Sequence, residues 1–393
     1  MSSSLAGTIV VAPELDADST RQAPPPIRSR RLDFIDALRG FACLWVCFCH
    51  VEGYWLDSAR PPFSSGIDAI TTRLASIGGA GVDIFIVLSG FCLYWPLIQR
   101  RSQPEKLNLR GFYIRRALRL LPVYYVSLAL CAILAMQAHP LTVGRTATGS
   151  ELLYNALLIQ TVVPGATPTI NGSFWSLALE MQLYLLFPLL VLTAIRYGVY
   201  GALIVTFVAL SATFFFAPEF PRIDVYALLP ARWLQFALGM TAAHLVHSGA
   251  PSAKRIISFA AFPLFFSALF ISTLHVVPPA RIIAWGLAGS ATVIALSQLP
   301  STWFQSLFRI GWLTKIGVIS YSIYLLQQPF LLLTGPLVKN RAPSLTIGFL
   351  IFTFLALPIL LALSWLLYVA VERPSMNLGK RWSRLALERS STS

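Results

Sequence analysis

From Thr346 to Ala370 the chain runs without a single charged side chain, and a run of that kind leaves few folds open. In hydrocarbon every backbone N–H and C=O must find its partner inside the protein, so such a segment crosses a bilayer only as a helix or as a strand of a closed barrel. Barrel strands alternate apolar and polar residues. Neither Thr346 to Ala370 nor Leu183 to Ala194 alternates. Apolar runs near the ~20 residues a spanning helix needs recur along the 393 residues, of which 56% are hydrophobic and 12% charged. The expected fold is therefore an all-α membrane protein, a polytopic bundle of about ten transmembrane helices. Their expected places are roughly 34–55, 82–98, 120–138, 174–194, 199–216, 228–247, 256–275, 282–298, 317–336 and 345–370.

Basic residues set the orientation, because cytoplasmic loops carry an excess of Lys and Arg. With both termini cytoplasmic, Arg21, Arg28, Arg30, Arg31, Arg39, the 99–119 loop and the tail after Glu372 share one side. Only Arg60, Arg73, Arg145, Arg222, Arg232, Arg281, Lys339 and Arg341 are expected to face out. An odd number of crossings would strand the C-terminal basic cluster on the wrong side. Residues 1–31, rich in Ser, Pro, Asp and Arg, read as a disordered cytoplasmic tail. They do not read as a signal peptide, since "TIVVA" is too short and no basic segment precedes it. Residues 32–374 form the transmembrane domain and 375–393 a short basic cytoplasmic tail. The expected location is a multi-pass position in a bacterial inner (plasma) membrane.

A formal net charge of +14 is on this reading an orientation signal. Nucleic acid is excluded as a partner, because no segment is polar enough to form a soluble basic face. Cys43, Cys47, Cys49, Cys92 and Cys131 all fall within expected helices, where cysteine behaves as a small apolar residue. The dense group Cys43, Cys47, Cys49 and His50 lacks paired metal-ligand spacing, so no metal site is expected.

The polar residues inside these apolar runs carry the functional signal. In "DALRGFACLWVCFCH" (36–50) Arg39 and His50 are eleven residues apart. They project from nearly the same helix face, about 16 Å apart along the axis. Arg39 reads either as a residue snorkelling to the headgroups or as a binding cation, in a first turn where a cation is electrostatically unwelcome. His50 reads as a functional imidazole able to exchange a proton at neutral pH, or as an interhelical hydrogen-bonding group. Arg116 and Arg119, one turn apart at the start of the third helix, can grip a phosphate or simply mark the cytoplasmic side. Glu180 is expected at a depth similar to His50. There it either orients the imidazole or bonds a neighbouring Tyr or Ser. Asp83 reads as a cap of the second helix or as an acceptor-facing acid, and Ser89 and Gly90 as small residues that let helices approach. Asn171, Gly172 and Ser173 match a glycosylation acceptor, but Ser173 also suits a helix cap.

Arg39 with His50 ten intervening residues on, "GGAGVDIFIVLSGF" (78–91), the Arg116 and Arg119 pair, "NGSFWSLALEMQLYLLFP" (171–188) and "SYSIYLLQQP" (320–329) together resemble the acyltransferase-3 family of integral membrane acyltransferases. The resemblance spans residues 32 to 374 and keeps family order. It implies a ten-helix domain that takes an acyl group, commonly acetyl, from cytoplasmic acyl-CoA. The acceptor is a hydroxyl of a glycan, a lipid-linked saccharide or a similar molecule. One position departs from the pattern: Gln327 stands where a histidine is frequent, and glutamine hydrogen-bonds but cannot shuttle a proton.

Acyl-CoA has a polyanionic nucleotide end joined by a long thin arm to its thioester, which suits cations at one end of a helix and an imidazole about 16 Å away. On this reading Arg39, Arg116 and Arg119 hold the donor's phosphates. His50, assisted by Glu180, deprotonates the acceptor hydroxyl or transiently carries the acyl group. The alternative is a secondary transporter of a small anionic or lipid-like solute. It would account for ten helices and intramembrane charge, but no matching pair of interrupted helices recurs in two halves.

Overall fold

A computed structural model describes residues 33–55, 67–99, 108–136, 148–274, 278–299, 311–339 and 345–391. The expected tail 1–31, His275 and the loop cations Arg100, Arg101 and Lys106 lie outside them. The described residues are mostly helical, with no strand among them. The elements are α1 (Asp33–Trp55), α2 (Ile67–Ser76), α3 (Ala80–Gln99), α4 (Leu109–Met136), α5 (Gly149–Ala156), α6 (Phe174–Phe216), α7 (Leu229–Ser248), α8 (Pro251–Thr273) and α9 (Pro278–Gln298). They continue with α10 (Gly311–Val318), α11 (Ser320–Lys339), α12 (Leu345–Ile351), α13 (Leu357–Leu367) and α14 (Arg373–Ser391). π-helical turns at Phe352–Ala356 and Tyr368–Glu372 join α12, α13 and α14 into one long rod.

Seven of the described helical stretches are long and apolar enough to cross a membrane, and eight if α10 and α11, bent by 76° where they meet, count as one span. Two features separate this number from the ten expected. Residues 174–194 and 199–216 lie in a single stretch, α6, interrupted at Gly198, whose φ of 73° and ψ of 170° are not helical. Helix α7, expected over 228–247, falls short of the apolar criterion. From Leu229 to Ala243 it is nonetheless buried nearly all round, including Arg232 and Gln235, so the protein rather than lipid covers these two polar side chains.

Close approach of helix backbones holds the bundle together. Helices α3 and α7 meet at Gly90 and Gly239, which face each other's backbone. A Cβ at Gly90 would come 2.9 Å from the Phe236 carbonyl carbon, and one at Gly239 2.9 Å from the Phe91 nitrogen. Lipid tails are as apolar as leucine, so close van der Waals contact of this kind must supply much of the association. A buried ion pair adds to the same junction. The Arg232 guanidinium bonds the Asp83 carboxylate, and Gln235 Nε2 donates to Asp83 at 2.8 Å and to the Ile282 carbonyl of α9 at 2.9 Å. Asp83 thus joins α3 to α7 rather than capping its own helix. Arg232 is 6% exposed, and its guanidinium also stacks on Trp175 and Tyr226.

The tail after Pro374 is helical as far as Ser391 and packs on α4. Arg115 of α4 bonds the Ser383 hydroxyl, and Gly379 lets α14 lie against Arg115 and Leu118.

Candidate active site

Five helices surround an internal cavity of about 80 Å³, and the contacts between them fix its axis. On α1, Cys43 Sγ donates to the Ser320 carbonyl, and seven residues later His50 meets Gln328; both partners belong to α11. Helices α1 and α11 therefore run parallel. Helix α4 runs the same way, with the Tyr321 hydroxyl on the Leu120 carbonyl and the Ser127 hydroxyl on the Leu325 carbonyl. Helix α6 opposes them: Ser173 meets Gln328 and Ser176 meets Tyr324. Helix α3 runs alongside α6, where the Ser89 hydroxyl donates to Glu180 at 3.3 Å. Phe85 and Ser89 are the partly open positions on the buried stretch Val82–Gly90 because both face the cavity.

Arg39, Arg119 and Glu180 line this cavity together, which joins residues from α1, α4 and α6. Arg116, one turn before Arg119, lies over the rings of Phe112 and Tyr184, 5.8 and 5.4 Å from their centroids. None of the three guanidinium groups has a close ionic partner among the described residues. Arg39 Nη1 is 3.8 Å from Asp36 and Arg39 Nη2 is 4.0 Å from Cys92 Sγ. A charge-assisted hydrogen bond runs at about 2.7–2.9 Å. Buried Arg116 Nε has no hydrogen-bond partner. Arg119 lies within electrostatic reach of Glu180 and Glu372 without a hydrogen bond to either. Partly buried cations are usually paired, so Arg39 and Arg119 at the cavity, with Arg116 one turn behind, form a site suited to an anion.

Glu180 takes its hydrogen bonds from Ser89 and from Tyr184, one turn along its own helix. It sits on the arginine side of the cavity, within reach of Arg116 and Arg119. His50 lies farther along. Tyr324 lines the cavity, Gln328 is one turn beyond it on α11, and His50 Nε2 is 3.2 Å from Gln328 Nε2. The imidazole is partly buried. Gln327 lies against the same ring, and its Nε2 donates to the Tyr324 carbonyl. Ser173 precedes α6, but its hydroxyl makes no capping bond; the Asn171 carboxamide oxygen accepts from the Ser173 N–H at 2.8 Å instead. Asn171 is 1% exposed, which leaves no surface for a glycan. The cysteines lie where the apolar reading expected, with Cys43, Cys47 and Cys131 buried, and no metal-ligand cluster occurs among the described residues.

Four polar residues of the site escaped the sequence reading. Tyr321, Tyr324 and Gln328 fall at helical spacing on one face, a signal obscured by the attention drawn to Gln327. Glu372, at the end of the uncharged run, is 2% exposed and accepts from the Ser322 hydroxyl at 2.6 Å, facing Arg39 and Arg119. It reads in sequence as a boundary residue, yet the π-turn at Tyr368–Glu372 turns it inward.

Comparison with known proteins gives the family. The family model described as an acyltransferase domain, Acyl_transf_3, matches residues 32–369. The chain is 27% identical to Acyltransferase MdmB of Streptomyces mycarofaciens over 91% of its length and 95% of that protein's. It is 24% identical to Peptidoglycan O-acetyltransferase OatA of Listeria monocytogenes, covering 79% of this chain and 51% of that one. The Putative peptidoglycan O-acetyltransferase YrhL of Bacillus subtilis is also 24% identical, over 90% of this chain and 56% of that one. The chain thus spans about half the length of these two peptidoglycan relatives. No solved structure matches. The family model matches nearly the whole described bundle, so the chain belongs to the acyltransferase-3 family and, with its membrane-spanning helices, is a multi-pass membrane O-acyltransferase.

Proposed function

We propose that the protein moves an acetyl group from cytoplasmic acetyl-CoA to a hydroxyl of a glycan, lipid-linked saccharide or similar acceptor. The observation that carries this reading is Arg39 and Arg119 lining the cavity with Arg116 one turn away, none with a close ionic partner among the described residues, and His50 farther along, against Gln328 beyond the cavity. The arginines hold the donor's phosphates. Tyr321 and Tyr324 line the cavity, and one turn farther along the same helix Gln328 meets the imidazole. His50 takes the proton of the acceptor hydroxyl as its oxygen attacks the thioester carbonyl, and returns that proton to the departing CoA thiolate. A route through a transient acyl-imidazole uses the same residue: the ring attacks the thioester and gives its own N–H proton to the departing thiolate, and in the second step the acceptor oxygen takes the acyl group while its proton returns to the ring. Glu180 and Glu372 lie within electrostatic reach of Arg119 without bonding it, which leaves the guanidinium to the donor. The names of the peptidoglycan relatives favour a saccharide acceptor.

The same reading has both termini on the cytoplasmic side and ten crossings. Helix α6, about 65 Å long at 1.5 Å per residue, is twice the length that a ~30 Å hydrocarbon core requires, so it crosses once on each side of Gly198. Helix α7 is the tenth crossing, shielded from lipid by α3, α6 and α9. The transporter alternative leaves the family match without an explanation.

The test uses purified protein in nanodiscs with labelled acetyl-CoA. Wild type is expected to consume the thioester and to transfer label to a saccharide acceptor. His50→Ala is expected to bind without turnover, and Arg116→Ala with Arg119→Ala to fail to bind. If wild type neither binds nor cleaves acetyl-CoA, a cytoplasmic acyl-CoA donor is refuted.

A further inference from the structure

Gln328 is 2% exposed and both ends of its carboxamide are engaged. Its Oε1 lies 3.2 Å from the backbone nitrogen of Ser173, and its Nε2 lies 3.2 Å from Nε2 of His50. A carboxamide can be drawn either way round, but a backbone N–H only donates. The atom facing Ser173 must therefore be the oxygen, and the atom facing the imidazole must be the NH₂ group. An NH₂ group has no lone pair to offer, so His50 Nε2 must accept, and in the neutral ring the proton sits on Nδ1.

The same elimination works one step back along the chain of contacts. The Ser176 hydroxyl donates to the Ser173 carbonyl at 2.9 Å, which uses its one hydrogen, so in its 2.7 Å contact with Tyr324 the tyrosine is the donor. These bonds fix the start of α6, and with it the Ser173 N–H, against α11. The loop that delivers Ser173 is held under local strain. Ile170, β-branched and 3% exposed, has a φ of 65°, and such conformations persist only where the surroundings enforce them. Asn171 Oδ1 shares the Ser173 N–H, so the donor that orients Gln328 has no freedom to turn away.

We infer that Gln328 is a positioning residue which, by donating to Nε2, holds His50 as the Nδ1-protonated neutral tautomer with its Nε2 lone pair as the reactive one. The acceptor hydroxyl takes the place of the Gln328 NH₂ at Nε2 when it binds, and no bond other than hydrogen bonds changes in this exchange. The catalytic consequence rests on the proposed role of His50; the tautomer itself does not.

The experiment uses the full chain in nanodiscs with ring-¹⁵N histidine, the His50 signals being identified by their loss in His50→Ala. At neutral pH wild type is expected to show a protonated Nδ1 and a bare Nε2. Gln328→Met, of similar size but without a donor, is expected to give a mixture of both tautomers and a roughly three- to tenfold fall in kcat, the worth of one hydrogen bond. Gln328→Glu, which accepts at both ends, draws the proton to Nε2. Its expected loss is about 10³- to 10⁴-fold, as when a histidine base is held in the wrong tautomer. A wild-type His50 protonated on Nε2, or a His50 spectrum unmoved by both substitutions, overturns the inference. If the spectra change as expected while His50→Ala keeps full transfer, the positioning stands and the catalytic role of His50 fails.

Discussion

Gly317→Ala tests whether the junction of α1 and α10 controls the arginine end of the site. Gly317 sits against the Asp36 peptide: a Cβ added there would lie 2.5 Å from the Asp36 carbonyl carbon. Carbon atoms in van der Waals contact stand about 3.5–4.0 Å apart, so the two helices must separate by about 1 Å or more. Asp36 lies three residues before Arg39, which lines the cavity, so the displacement passes directly to that guanidinium. Overpacking of this kind costs about 1–3 kcal/mol, against a gain of up to ~1 kcal/mol from replacing glycine in a helix. Gly311→Ala is the control. It opens the same helix, and nothing lies within 4 Å of the position its Cβ would take. Thermal unfolding in nanodiscs should place Gly317→Ala below wild type and Gly311→Ala at or above it. Acetyl transfer should fall by up to ~10²-fold in Gly317→Ala alone, the scale of a 1 Å misplacement at a reacting site. Equal stability and equal transfer in the two variants would show that α1 and α10 do not meet as described and that the argument from close packing is wrong.

Three further outcomes follow from the same structure. Arg232→Ala leaves the Asp83 carboxylate buried without its cation and should destabilise the protein by about 3–5 kcal/mol, measured by unfolding; Asp83→Leu with Arg232→Leu should recover most of that loss. Arg119→Lys keeps the charge but loses the planar fork that holds a phosphate through two bonds, so acetyl-CoA affinity, read by equilibrium binding, should fall about tenfold while stability barely changes. Ser322→Ala removes one hydrogen bond from buried Glu372 and should cost about 1–3 kcal/mol in stability, with a smaller effect on binding; if binding falls more than in Arg119→Lys, Glu372 rather than Arg119 dominates the donor site.

Much of this protein was legible in sequence because its strongest signals are local. An uncharged run has to be helical in lipid whatever its neighbours do, which accounts for the all-helical architecture of the described residues. Arg39 and His50 lie about 16 Å apart on one helix face by helical periodicity alone, and no tertiary contact changes that. Arg116 and Arg119 sit one turn apart for the same reason. The motifs that resemble the family are likewise contiguous in the chain, and the family match runs over the stretch they occupy.

What periodicity could not supply is which faces meet. Asp83 and Arg232, 149 residues apart, form one ion pair, and sequence treats each by itself as a cap and as an outward-facing charge. Glu180 shares a depth with His50 on a hydropathy plot, yet its bonds run to Ser89 and Tyr184 because α6 turns that face toward α3 and the arginines. Gln328 looks like an ordinary neighbour of Gln327 until α11 lies between α1 and the start of α6. The sequence alone thus determined that the chain is a helical membrane bundle with cations near one end of α1 and an imidazole farther along it, since backbone hydrogen bonding and helix pitch are local constraints. Only the tertiary structure decided which polar groups are paired, which arginines lack close ionic partners among the described residues and which nitrogen of His50 accepts a hydrogen bond, since those outcomes depend on contacts between segments far apart in the chain.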